Sequence, residues 1–137
     1  MCEVIAGRRA PTDAFRKFKT SCHVVLQSTN QHIAFEEDIR EKHGFLSFQQ
    51  PEKISDAIRL FFDKPIWRVV AQHMGKDEIM LKSELRLIVD RRNKIAHEAD
   101  VDPSYPGARW PISSLDCDGA LDLIESICEA IYAEVKI

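Results

Sequence analysis

Arg92, Asn93 and His97 are the residues whose types and spacing point most directly to chemistry, within Leu85-Arg-Leu-Ile-Val-Asp-Arg-Arg-Asn-Lys-Ile-Ala-His-Glu98. Imidazole titrates near neutrality, so His97 can take a proton from a ribose 2′-hydroxyl or give one to a leaving 5′-oxygen. A guanidinium grips phosphate through parallel N–H donors and offsets charge building on its oxygens, a role open to Arg92. Asn93 could orient the imidazole or touch the phosphate. This set suits phosphoryl transfer on RNA, and none of its steps requires a metal. Cys2, Cys22, Cys117 and Cys128 show no metal-ligand spacing, nor do His23, His32, His43 and His73. No carboxylate cluster of the kind magnesium nucleases use stands out, so neither a metal nor another cofactor is expected.

Geometry narrows how these groups can work together. At about 100° per residue, Leu81, Leu85, Ile88, Val89, Ile95, Ala96 and Ala99 share one helical face with Arg92 at its centre. Arginine in such a place is expected to be paired or put to use. Asn93 and His97, four apart, lie nearly one above the other. Arg92 and His97, five apart, diverge by about 140° around the axis. A single helix therefore does not easily bring both onto one phosphate, whereas two copies around a two-fold axis could. The pattern predicts a homodimer.

Blander readings stand beside this one. Arg92 could form a buried ion pair with Asp122 or Glu125. His97 could be a helix-end histidine favoured by the helix dipole. Arg91 and Lys94 could bind RNA or belong to a solvated cluster balanced by Asp90 and Glu98. Tyr105 and Arg109, on the following loop, are placed as candidate phosphate contacts, while Trp67 and Trp110 read as core or loop anchors.

The elements that must position these groups are helical. Residues 1–10 read as a tail and residues 11–137 as one domain. Thr12 caps a first helix carrying Phe15, Phe18, Cys22, Val25, Leu26 and Ile33 toward Gly44, with Ser28-Thr29-Asn30 able to divide it. Pro51 begins a second helix, interrupted at Lys64-Pro65. A short helix then runs from Ile66 to Gly75, and Asp77 caps the motif helix over about 78–98. A proline-bearing loop spans Asp100–Ser114. The last helix, from about Asp118 to Val135, shows Ala120, Ile124, Ile127, Cys128, Ile131 and Val135 on one face. The expected fold is all-α, an antiparallel bundle of four to five helices.

Composition agrees with a globular chain. Of 137 residues, 45% are hydrophobic and 30% charged, and only five are glycine. No apolar run reaches bilayer length, and the N-terminal segment has its charge at the wrong end for a signal peptide. A cytoplasmic setting with free thiols is expected. A net charge of −3 argues against broad capture of nucleic acid but leaves room for a local basic pocket.

Arg92-Asn-Lys-Ile-Ala-His97 resembles the signature of HEPN domains: an arginine, four to six residues of which the first is often polar, then a histidine. The wider run Leu87–Asp100, with Pro103, Gly107-Ala-Arg-Trp-Pro-Ile112 and the final amphipathic helix, looks like the RiboL-PSP branch, which is associated with prokaryotic RNA-targeting and phage-defence systems. The resemblance covers about Ile79 to Val135, and over the first half only helical pattern agrees. It implies a helical bundle, a symmetric dimer with the motif at its interface, and metal-independent endoribonuclease activity. Single-stranded or loop RNA is the expected substrate, because in-line attack by the 2′-hydroxyl needs backbone freedom, and a toxin or antiviral system is the expected setting. Products would be a 2′,3′-cyclic phosphate and a 5′-hydroxyl. Arg92 and His97 would be the catalytic pair and Asn93 the accessory polar residue. The alternative is a non-catalytic RNA-binding or dimerising module that partners a larger defence or toxin–antitoxin system.

Overall fold

The computed structural model describes residues 10–17, 27–44, 47–98, 101–102, 104–105 and 107–136. Nine of the ten residues expected to form the tail, and positions 18–26 of the first expected helix, lie outside these. The described residues form six helices and no strand: α1 (Asp13–Arg16), α2 (Gln31–His43), α3 (Pro51–Ile58), α4 (Ile66–Met74), α5 (Glu78–Glu98) and α6 (Ser114–Val135). No helix among them is long and apolar enough to cross a membrane. The chain divides into two compact units, Met1–Phe48 with Asp56–Asp63 and Gln49–Ser55 with Lys64–Ile137.

In the first unit, Thr12 does two jobs. Its Oγ1 accepts from the Phe15 amide at 3.0 Å, capping α1, and donates to the Arg59 carbonyl at 2.6 Å. Asn30 caps α2 in the same manner, accepting from the Ile33 amide at 3.2 Å, after a Ser28–Asn30 turn closed by reciprocal side-chain bonds. Ser28-Thr29-Asn30 therefore interrupts the helical pattern, because Ser and Asn offer the backbone competing partners.

The second unit carries the candidate chemistry. Buried Ile66, Trp67, Val70 and Ala71 recur along α4 at helical spacing. The Trp67 indole donates to the Pro51 carbonyl at 2.7 Å, which satisfies its N–H inside the core. Gly75, at φ 64°, ends α4 in the left-handed region, with Gly75 and Lys76 amides returning to Gln72 and Ala71 carbonyls. Asp77 Oδ1 then accepts from the Met80 amide at 2.9 Å and starts α5. Leu81, Leu85 and Val89 bury one face of α5 against this core, and α6 adds Ile127 and Ala130.

Two expectations about faces are corrected here. The buried stripe of α5 ends at Val89: Ile95 is 44% exposed, and Ala96 and Arg92 are exposed as well. The nine residues of α4 span about 14 Å, whereas the 21 of α5 span about 32 Å, so α4 cannot cover the distal turns. On α6 the packed side is turned toward Leu123, Ile127 and Ala130, leaving Ile124 and Cys128 exposed. The helix presents apolar residues on more than one side, and periodicity alone could not choose between them.

Leu81→Ala should cost about 2–5 kcal/mol in urea unfolding, because it empties a fully buried site. Leu87→Ala, at a position 66% exposed, should stay within about 0.5 kcal/mol. Equal losses at the two positions would show that the core has been misplaced.

Candidate functional site

Helix α5 is held along its first half by charge pairs as well as packing. Lys82 Nζ reaches Glu78 at 3.3 Å, Lys76 Nζ reaches Glu84 at 2.9 Å, and Arg86 pairs with Glu52 of α3. These pairs are largely solvated and contribute modestly. Beyond Val89 the helix meets a different neighbour, the segment leading into α6. Arg91 Nη2 donates to the carbonyl oxygens of both Trp110 and Pro111, each at 3.2 Å. One guanidinium thus fastens the chain 19 and 20 residues later in sequence onto the side of α5.

The loop before that segment folds on itself. Val101 and Arg109 form an isolated antiparallel bridge, and the Asp102 amide donates to the Ala108 carbonyl at 2.9 Å. Asp102, 8% exposed, accepts from the Ser104 amide at 2.8 Å, and Gly107 takes φ 87° where a side chain would be strained. After it, Ser113 and Asp116 form a reciprocal capping box. The Asp116 amide donates to Ser113 Oγ at 3.1 Å, and Asp116 Oδ2 accepts from the Ser113 amide at 3.0 Å and hydroxyl at 2.7 Å. Helix α6 consequently begins at Ser114, four residues earlier than about Asp118, the start expected from hydrophobic spacing.

These constraints leave an open groove of about 450 Å³ between α5, the 110–112 segment and the first turns of α6. Its walls include Leu87, Ile88, Ile95, Pro111 and Ile112, and its polar groups are Arg91, Arg92 and Asp116. A second depression of about 510 Å³ is bordered by Asn93, Lys94, Arg91 and Trp110.

The sequence-predicted residues separate into three groups. Arg92 and Asn93 are brought together, with Arg92 Nη1 donating to Asn93 Oδ1 at 3.0 Å. Arg92 is exposed, and among the described residues it forms no ion pair with Asp122 or Glu125, so its expected place inside the apolar face is corrected. Arg91 braces the loop and borders both depressions, while Lys94 is exposed beside the second. His97 is exposed in the last turn of α5 and borders neither depression; Tyr105 and Arg109, exposed on the loop after it, border neither as well. Sequence reasoning missed Asp116 and the capping box, although Ser113-Ser-Leu-Asp116 is the pattern that signals one. Among the described residues, no three His, Cys, Asp or Glu side chains gather as metal ligands.

The Ser113 hydroxyl, followed by its amide, holds the Asp116 carboxyl below the usual aspartate range. Slight desolvation opposes this, and the nearby Arg91 charge favours the carboxylate.

Comparison with family models, curated proteins and solved structures returns no match.

Because the folded carboxyl titrates lower than the unfolded one, its stabilising effect is complete above the ordinary aspartate pKa. That effect fades as pH falls through the folded value. A carbon-13 NMR titration should therefore place the Asp116 midpoint below the usual range, and Ser113→Ala should move it upward. An unchanged midpoint in Ser113→Ala would refute this cause.

Proposed function

We propose that this chain is a metal-independent endoribonuclease of the HEPN type, acting as a homodimer on single-stranded or loop RNA in a toxin or phage-defence system. The observation that carries the reading is the solvent-exposed Arg92–Asn93 pair, one turn before an exposed His97, on a stretch of α5 that also leaves Leu87 and Ile95 uncovered. Uncovered apolar residues beside a cation and an imidazole are what a site completed by a second copy requires. The 140° divergence between Arg92 and His97 then ceases to be an obstacle, since each copy supplies groups the other cannot aim.

In this mechanism one His97 imidazole removes the proton from the ribose 2′-hydroxyl. The 2′-oxygen attacks the adjacent phosphorus, and the P–O5′ bond breaks. The leaving 5′-oxygen takes a proton from the second copy's His97 in its imidazolium form, giving a 2′,3′-cyclic phosphate and a 5′-hydroxyl. Arg92 holds the non-bridging oxygens as their charge grows, and Asn93 keeps the guanidinium oriented through its 3.0 Å bond. Unpaired RNA is favoured because in-line attack needs backbone freedom that stacked duplex restricts.

A second reading has its own support. His97 borders neither depression, and among the described residues no contact brings it to Arg92, as suits a non-catalytic RNA-binding or dimerising module that partners a larger system.

In chelator-containing buffer, His97→Ala should abolish cleavage of mixed RNA, and Arg92→Ala should slow it by about 10²–10³-fold, the usual loss for one removed oxyanion donor. Cyclic-phosphate ends should appear in the wild-type products. Wild-type protein that binds RNA without cutting it would favour the second reading. Cleavage that survives His97→Ala would remove the imidazole from the mechanism.

A further inference from the structure

Building on the proposed action on RNA, we propose that the groove between α5 and α6 is a nucleobase subsite in which Asp116 selects the base: guanine is preferred, adenine and cytosine are intermediate, and uracil is disfavoured. The groove's volume, about 450 Å³, is within the size of small-ligand clefts, about 300–1,000 Å³. Its walls are aliphatic on both sides, Leu87, Ile88 and Ile95 from α5 facing Pro111 and Ile112 from the bracing segment. Such walls suit the flat face of a base. Arg92, the proposed phosphate clamp, borders the same groove, so a nucleotide gripped there carries its base toward these walls.

The selecting group is a carboxylate with one oxygen to spare. Asp116 Oδ2 takes both bonds from Ser113, whereas Oδ1 takes no hydrogen bond from any described residue. An ionised carboxylate only accepts. Guanine offers it two adjacent donors, N1–H and the 2-amino group. Adenine and cytosine each offer one amino group beside a ring acceptor. Uracil presents N3–H between two carbonyl oxygens that a carboxylate repels. The bonds from Ser113 also keep Asp116 ionised across the neutral range, so the acceptor persists at working pH.

The test uses 2′-O-methyl trinucleotides with G, A, C or U at the centre, which lack the attacking hydroxyl, and reads binding by fluorescence anisotropy. The guanine ligand should bind about tenfold more tightly than the uracil ligand, as expected for one good base contact. Asp116→Asn should shrink that ratio to about threefold or less, since an amide both donates and accepts. Ser113→Ala weakens the same helix start yet keeps the carboxylate, and it should retain the preference. Equal affinity for all four ligands, a preference that survives Asp116→Asn, or no binding at all would overturn the subsite. Because no bond is cut, base-selective binding by a protein that leaves ordinary RNA intact would count against the nuclease reading alone. Cleavage without base preference would count against the subsite alone.

Discussion

A long helix packed on a short one leaves a surplus that must be handled. Helix α5 extends about 32 Å and α4 about 14 Å, so only the turns bearing Leu81, Leu85 and Val89 find a buried partner there. The remaining turns carry Arg91 through His97. Where packing does not hold a helix, polar and charged side chains are free to be used otherwise, and the candidate chemistry of this chain is concentrated on that stretch. The distribution separates a packed half of α5 from a more exposed half.

The second half is nonetheless organised. Arg91 spends its guanidinium on two backbone carbonyls, which would otherwise need water or another donor, and so lashes the 110–111 segment to α5. The self-closed loop at Val101–Arg109 and the Ser113–Asp116 capping box fix the two ends of that segment. Three local devices thus define a groove whose wall is loop on one side and helix on the other. Arg91 and Arg92, adjacent in sequence, diverge in role for a simple reason: a step of about 100° aims one at the loop and leaves the other to solvent and Asn93. Replacing Arg91 by lysine would keep the charge but lose the rigid, planar guanidinium whose fixed N–H directions aim at two neighbouring carbonyls.

Legibility from sequence followed the locality of the physics. Thr12, Asn30, Gly75 and Asp77 mark helix ends through bonds spanning a few residues, and the all-helical class, the division near Ser28–Asn30 and the span of α5 were readable on that account. The start of α6 was also local, in Ser113-Ser-Leu-Asp116, but the hydrophobic pattern begins later and drew the boundary with it. What could not be read was which apolar face finds a partner. Arg92 sits at the centre of a regular stripe in the sequence, yet that stripe outlasts α4, and the length of a neighbouring helix is not written into the stripe itself. Likewise, Ile124 and Cys128 belong to an apolar face of α6 that the unit leaves open. The pairing of Arg91 with Trp110 and Pro111 joins distant positions through backbone atoms, for which side-chain identity leaves no trace.

On the proposed reading, Arg92 and His97 become competent for RNA only when two copies share them. Cleavage rate per chain, followed across a dilution series alongside the dimer fraction from analytical ultracentrifugation, tests that most directly. The rate per chain should fall in step with the dimer and vanish in the monomer. A monomer that cleaves at the full rate, or a stable dimer that cleaves nothing, would contradict it.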